Sequence, residues 1–212
     1  MLQLIGFALV LAWNLPPASA PAECDESDVY IAGVPDNFEH PAEPSFPSLE
    51  LVTYAKTSWP QLIHRRFDDD LTDVALIHTF SGWKGSVCGA TLEIRLRAGR
   101  SVMSTNDSVR LELTGGDDHQ RAFAYWTTIR NVTGSWGPGD EATLLLDLGN
   151  LPRYVNFPTD ILPTLQDGDL DLLVEDDTAI DYAILRICEC VSSEGRTPVE
   201  ATSWGRLKTS YR

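Results

Sequence analysis

The chain has 212 residues, enough for one domain of ordinary size with appendages. At 43% hydrophobic and 22% charged residues it can build a packed core, which excludes global disorder. A net charge of −15 and a pI of about 4.5 repel phosphates and anionic lipid, so nucleic acid and membrane surfaces are not expected partners.

The first stretch, Met1 to Trp13, is apolar apart from Gln3, and a Pro-rich, small-residue stretch follows it to Ala22. A bilayer-spanning helix needs about 20 apolar residues, so this run is too short. It matches a secretory h-region followed by an A-x-A site, Ala18-Ser19-Ala20 or Ala20-Pro21-Ala22, although no Lys or Arg precedes it. Residues 1–22 therefore read as a signal peptide. No later run reaches spanning length, so the mature chain is predicted to lack a transmembrane helix and to be secreted, cell-surface or periplasmic. Residues 23–66 contain Pro35, Pro41, Pro44 and Pro47 and read as an extended segment lying over a domain. Within it, "LELVTYA" at 49–55 is predicted as a first edge strand.

Residues 67–191 carry period-2 patterning. In "CGATLEIRLRAG" the even positions Cys88, Ala90, Leu92, Ile94 and Leu96 face inward, and Thr91, Glu93, Arg95 and Arg97 face water. "SVRLELTGG" repeats the pattern, with Val109, Leu111 and Leu113 inward and Arg110 and Glu112 outward. "RAFAYWTTIRNV", "EATLLLDLG", "DLDLLVED" and "DYAILRICECV" supply four more strands, separated by "RAG", "NDS", "TGGDD", "GPGD" and "QDGD". Only "TDILPTLQDG" reads as helical, for a turn or two. The predicted fold is all-β: an antiparallel, jelly-roll-like β-sandwich with one short helical turn.

The four cysteines, Cys24, Cys88, Cys188 and Cys190, form an even set behind a signal peptide, which predicts disulfides. Alternate residues of an extended strand hold their sulfurs too far apart to pair, so Cys24 and Cys88 are each expected to bridge to Cys188 or Cys190. The spacing fits no zinc site.

Two acidic clusters stand out. Asp176, Asp177 and Asp181 fall between a strand ending near Val174 and one beginning near Asp181 or Tyr182. Asp accepts backbone N–H groups in tight turns, which accounts for the residue type without a ligand. The functional reading is calcium, held by carboxylates and carbonyls, with Asp68, Asp69 and Asp70 completing the site if the two clusters meet. Among the tryptophans, Trp83 in "SGWKG", Trp126 in "AYWTT" and Trp136 in "GSWGPG" are candidates for stacking on sugar rings, and Trp83, between glycines, is the one expected to be exposed. His78 reads as a structural histidine within a strand. No G-x-S-x-G, H-E-x-x-H, phosphate loop or nucleotide fingerprint is present, and no catalytic residue is assigned.

Residues 192–212 read as a polar linker and an aromatic, basic tail. Trp204, Leu207 and Tyr211 are spaced i, i+3, i+7 and would form one apolar stripe on a helix, with Lys208 among the cations off that stripe. This predicts a recognition tail for export or attachment machinery.

"RRFDDDLTDVALIHTF", "GATLEIRLRAG", "STNDSVRLEL", "GPGDEATLLLDLGNLP" and "DGDLDLLVEDDTAIDYAILRI" together resemble an uncharacterised group of secreted bacterial β-sandwich domains. That group shares an A-T-L-E-I-R-L strand, an N-D-S turn and a D-D-T-A-x-D-Y turn. The resemblance spans roughly residues 66–188 and implies an extracellular sandwich, often an accessory module of larger exported proteins. The tail resembles a W-G-x-x-K-x-x-Y-R ending of exported bacterial proteins. The expected function is a secreted, non-enzymatic module for extracellular binding, adhesion or surface structure, with a glycan or cell-surface protein as partner. The alternative is a carbohydrate-binding accessory module of an exported enzyme system.

Overall fold

A computed structural model describes residues 24–39, 42–58, 63–69, 74–100, 102, 105–115 and 121–190, with the backbone alone for residues 24–27. The predicted signal peptide, Asp70 and the predicted recognition tail lie outside the described residues. The described chain is mostly strand: β1 (Cys24–Gly33), β2 (Ile63–His64), β3 (Val74–Ser81), β4 (Val87–Ala98), β5 (Ser108–Thr114), β6 (Ala122–Thr128), β7 (Glu141–Asp147), β8 (Asp169–Asp176) and β9 (Thr178–Cys190). They form two sheets, a four-stranded one in the order β1-β9-β4-β7 and a five-stranded one in the order β2-β3-β8-β5-β6. All pairings are antiparallel except the two-residue parallel match of β2 with β3. Among the described residues no helix is long and apolar enough to cross a membrane.

The alternation of β4 holds: Ala90, Leu92, Ile94, Leu96 and Ala98 are buried and the residues between them are half-buried. They meet Leu144 and Leu146 of β7 and Leu185 and Ile187 of β9. Leu170, Leu172 and Val174 of β8 and Val109 and Leu111 of β5 close this core from the opposite sheet. Each fully buried Leu or Ile contributes about 1.5–3 kcal/mol. Cys88 bridges Cys190 with their Cα atoms 5.0 Å apart, tying β4 to the end of β9 as one of the two expected pairings. Cys188 is disulfide-bonded as well.

Three expectations about the elements need correction. The predicted edge strand at 49–55 is a helix, α1 (Leu49–Ser58). The Ser48 side chain accepts the Leu51 N–H at 3.0 Å, which caps the first turn, and Leu51, Val52 and Ala55 supply a helical stripe. That stripe covers Ala75, Ile77, Phe123 and Leu173 on the outer face of the five-stranded sheet and makes a second, smaller core. The predicted helical turn forms as a 3-10 turn (Leu162–Asp167), but α1 and a five-residue helix, α2 (Ile129–Thr133), bring the helical elements among the described residues to three. Residues 24–33, assigned to the extended entry segment, form β1 and pair along β9.

In β5, Glu112 was expected to face water and is buried, 3% exposed. Its backbone is left-handed at φ 57°. Leu111 and its partner Tyr125 face the inner core, whereas Leu113 and its partner Phe123 join the cluster under α1. The left-handed backbone at Glu112 switches the strand from one core to the other without a change of register against β6.

Candidate functional site

Two places concentrate chemistry. The first is a groove on the outer face of the five-stranded sheet. Arg110 and Trp126 are cross-strand partners on β5 and β6, with the guanidinium 5.7 Å from the indole centroid. Phe157 and Tyr154 come from the loop after β7, and Tyr154 packs edge-on against Trp126 at 4.9 Å. Tyr54 of α1 reaches Phe123 edge-on at 5.4 Å. Between these side chains lies a cavity of about 230 Å³, lined by Tyr54, Arg110, Ala122, Phe123, Trp126 and Phe157. The wall is mostly aromatic. The Arg110–Glu175 ion pair at 2.6 Å supplies its charged edge, and the Trp126 Nε1–H has no acceptor. Aromatic faces with a few oriented polar groups are the usual makings of a small-ligand site.

The second place is acidic. Asp181 is the extra residue of a bulge in β9, since β4 pairs Arg95 with Tyr182 and then Leu96 with Ile180. Asp181 is 2% exposed. The chain after β1 wraps around it, and the N–H groups of Asp36, Asn37 and Phe38 donate to its two carboxylate oxygens at 3.2–3.4 Å. This wrap needs left-handed backbone at Asn37 and Phe38. It also needs Gly33, where a Cβ would fall 2.3 Å from the Asp181 carbonyl oxygen. Asp68 joins from the segment after β2, its N–H donating to the Ile180 carbonyl at 2.7 Å. One carboxylate oxygen each from Asp36, Asp68 and Asp181 lies within 4.8 Å of the others. Glu43 stands beside Asp68. Burial first, and then the charges of Glu43, Asp181 and Asp36, push the Asp68 carboxyl up to about 7.

The calcium set predicted from sequence is thus partly assembled and partly scattered. Asp68 and Asp181 meet, joined by Asp36 and Glu43, which sequence reasoning passed over as parts of an extended segment. Asp69 instead faces His64, Nε2 to Oδ2 3.0 Å. Asp176 accepts from Asn106 at the other end of the corner. Asp177 is the single residue between β8 and β9, which lie in different sheets, so it spans a corner and is buried there, with its carbonyl accepting the Gly99 N–H at 2.7 Å. A second acidic group, Glu112, Asp167 and Asp169, also brings carboxylate oxygens within 4.8 Å. There Glu112 already accepts the Asp171 N–H at 3.3 Å, and burial followed by the Asp171 charge pushes it up to about 9.

Of the three tryptophans singled out, only Trp126 lines the groove. Trp83 is buried, 3% exposed, with Nε1–H donating to the Leu165 carbonyl at 2.8 Å and Tyr30 packed edge-on against it. Trp136 is also in the core. Glycine neighbours exposed Trp83 in the sequence reading, but they let the backbone turn and seat the ring inside. His78 is buried, accepts the Phe46 N–H at its Nδ1 at 3.2 Å and packs against Phe67 and Phe80. Burial lowers it to about 4, so it is a neutral structural acceptor at pH 7.

No protein-family model matches the chain. No curated protein matches it. Among solved structures it is similar to dimeric latent PorU from Porphyromonas gingivalis, with a TM-score of 0.34 and 12% identity over 84% of this chain. The chain spans 14% of that protein's length.

Proposed function

We propose that the chain is a secreted, non-enzymatic β-sandwich module of jelly-roll kind that binds a carbohydrate of a cell surface or exported matrix in the Trp126 groove. Support for the jelly-roll arrangement comes from strand order. With β2 set aside, the four-stranded sheet reads first, eighth, third, sixth, and its mate reads second, seventh, fourth, fifth. That is the order of two interlocked Greek keys. The Cys88–Cys190 bridge supports an oxidising compartment.

The observation that carries the binding reading is the groove itself. Trp126, Tyr154 and Phe157 offer ring faces and edges, and the Arg110–Glu175 pair offers donors and acceptors at the rim. Sugar rings present apolar C–H faces and peripheral hydroxyls, which match such a wall. A glycan array with the intact chain and its Trp126→Ala variant tests this. Retention on at least one polysaccharide is expected, with a loss of about 10-fold or more in the variant, the size of a hot-spot contact. Binding that is unchanged in the variant would remove the groove from the explanation.

A protein partner is the second reading, and a different surface favours it. Ile31, Ile184, Glu93 and Leu145 lie in one row across the outer face of the four-stranded sheet, and Ile31 and Leu145 are 61% and 68% exposed.

A further inference from the structure

Four carboxylates converge on the β9 bulge, and two of them are badly placed for anions. Both oxygens of Asp68 and Oε2 of Glu43 are closed to solvent, each exposing less than 1 Å², and the two carboxyls face each other with no donor from elsewhere among the described residues. Asp181 beside them is fixed by three backbone N–H groups and is 2% exposed. Burying carboxylates together without compensation is among the least favourable arrangements in a protein interior. A proton shared between Asp68 and Glu43 would answer two of these three oxygens and leave the second Asp68 oxygen, whereas a cation can answer all of them at once.

The donor set selects the kind of cation. It contains oxygen alone, with no imidazole nitrogen and no thiolate, which points away from zinc and copper and toward a hard ion. The oxygens of Asp36, Asp68 and Asp181 lie within 4.8 Å of one another. Two ligands on opposite sides of one calcium are separated by about 4.6–5.2 Å, so all three can reach a single ion. The ligands also come from separate parts of the chain: the turn after β1, the segment after β2 and the bulge of β9.

We propose that Asp36, Asp68 and Asp181, with Glu43 as the fourth carboxylate, bind one calcium ion that fastens the segments after β1 and β2 onto the bulge of β9. This site shares no residue with the groove and is independent of the glycan reading.

Thermal melts of the full chain at neutral pH, in EDTA and in calcium chloride, test it, with magnesium chloride run alongside. Calcium at one hundred times its Kd is expected to raise Tm by about 5–10 °C, and magnesium by less. Asp68→Asn removes one of the crowded anions and leaves its volume. In EDTA it is expected to melt at or above the parent, and it should not respond to calcium. If that variant does not fold, Asp36→Asn serves the same comparison. Glu112→Gln, in the other acidic group, should keep the full calcium response. A parent chain whose Tm ignores millimolar calcium would overturn the proposal, and so would an Asp68→Asn variant that still responds.

Discussion

Glu112 shows how one residue can work against the alternation around it. Its backbone is left-handed, its side chain is buried, and its carboxyl is pushed up to about 9, chiefly by burial and then by the Asp171 charge. The folded state therefore holds a proton that the unfolded chain releases near its ordinary pKa of 4.5. Because the folded state binds more protons across that window, this group's stability is fully present below about pH 4.5 and is lost as pH rises toward 9, at up to about 1.4 kcal/mol per pH unit. Glu112→Gln should flatten that slope and raise stability by on the order of 2 kcal/mol at pH 7. Urea melts of both proteins at mildly acidic and mildly alkaline pH read this directly, and equal slopes would count against it. His78 acts in the opposite sense: lowered to about 4, it contributes stability that is present above its ordinary 6.5 and is lost as pH falls toward 4. Neither shift was legible in sequence. Period 2 placed Glu112 outward, and only the left-handed backbone at that position turns it in. Asp181 was more legible, since it shares the parity of Ala183, Leu185 and Ile187, which are buried along the alternating part of its strand.

Among the elements, β4 and β9 follow from pattern alone, because each has one face in the core and one outside. β8 is different. Its inner residues meet the main core and its outer residue Leu173 lies under α1, so Leu172–Val174 read as an unbroken apolar run between acidic residues rather than as alternation. Helix α1 itself was misread because Leu49 and Leu51 mimic alternation. Leu49 is in fact 81% exposed, and the stronger signal was Ser48 preceding a stripe of Leu51, Val52 and Ala55. Leu51→Ala should cost about 2–5 kcal/mol, the range for deleting a buried leucine. Leu51 belongs to a cluster separate from the inner core, so the loss should appear first as increased hydrogen exchange in α1 and β3. Uniform loss of protection across both sheets would mean that the two cores melt as one unit. The Pro-rich segment was illegible for a different reason. Asp36 and Glu43 find their partners 145 and 25 positions away, across a junction that no local period reports.

On the scale of the whole molecule, the Cys88–Cys190 bridge closes a loop spanning 102 positions, worth about 4–5 kcal/mol in the chain-entropy view. The tail beyond the last strand has a separate role in our reading. Deleting residues 203–212, with Trp204, Leu207, Lys208 and Tyr211, should leave Tm unchanged and remove the protein from its normal surface or compartment, as cell fractionation would show. Normal localisation of the shortened protein would refute the sorting role. The order of strands carries a further consequence, one of timing. Among the described residues β1 is the first strand made, and its only neighbour in the sheet is β9, the last. β4, the middle strand, likewise waits for β9 on one side. β4 can pair with β7 early, but the four-stranded sheet cannot be completed until β9 has left the ribosome. The sheet is therefore completed late and slowly, as sheets with such distant neighbours are.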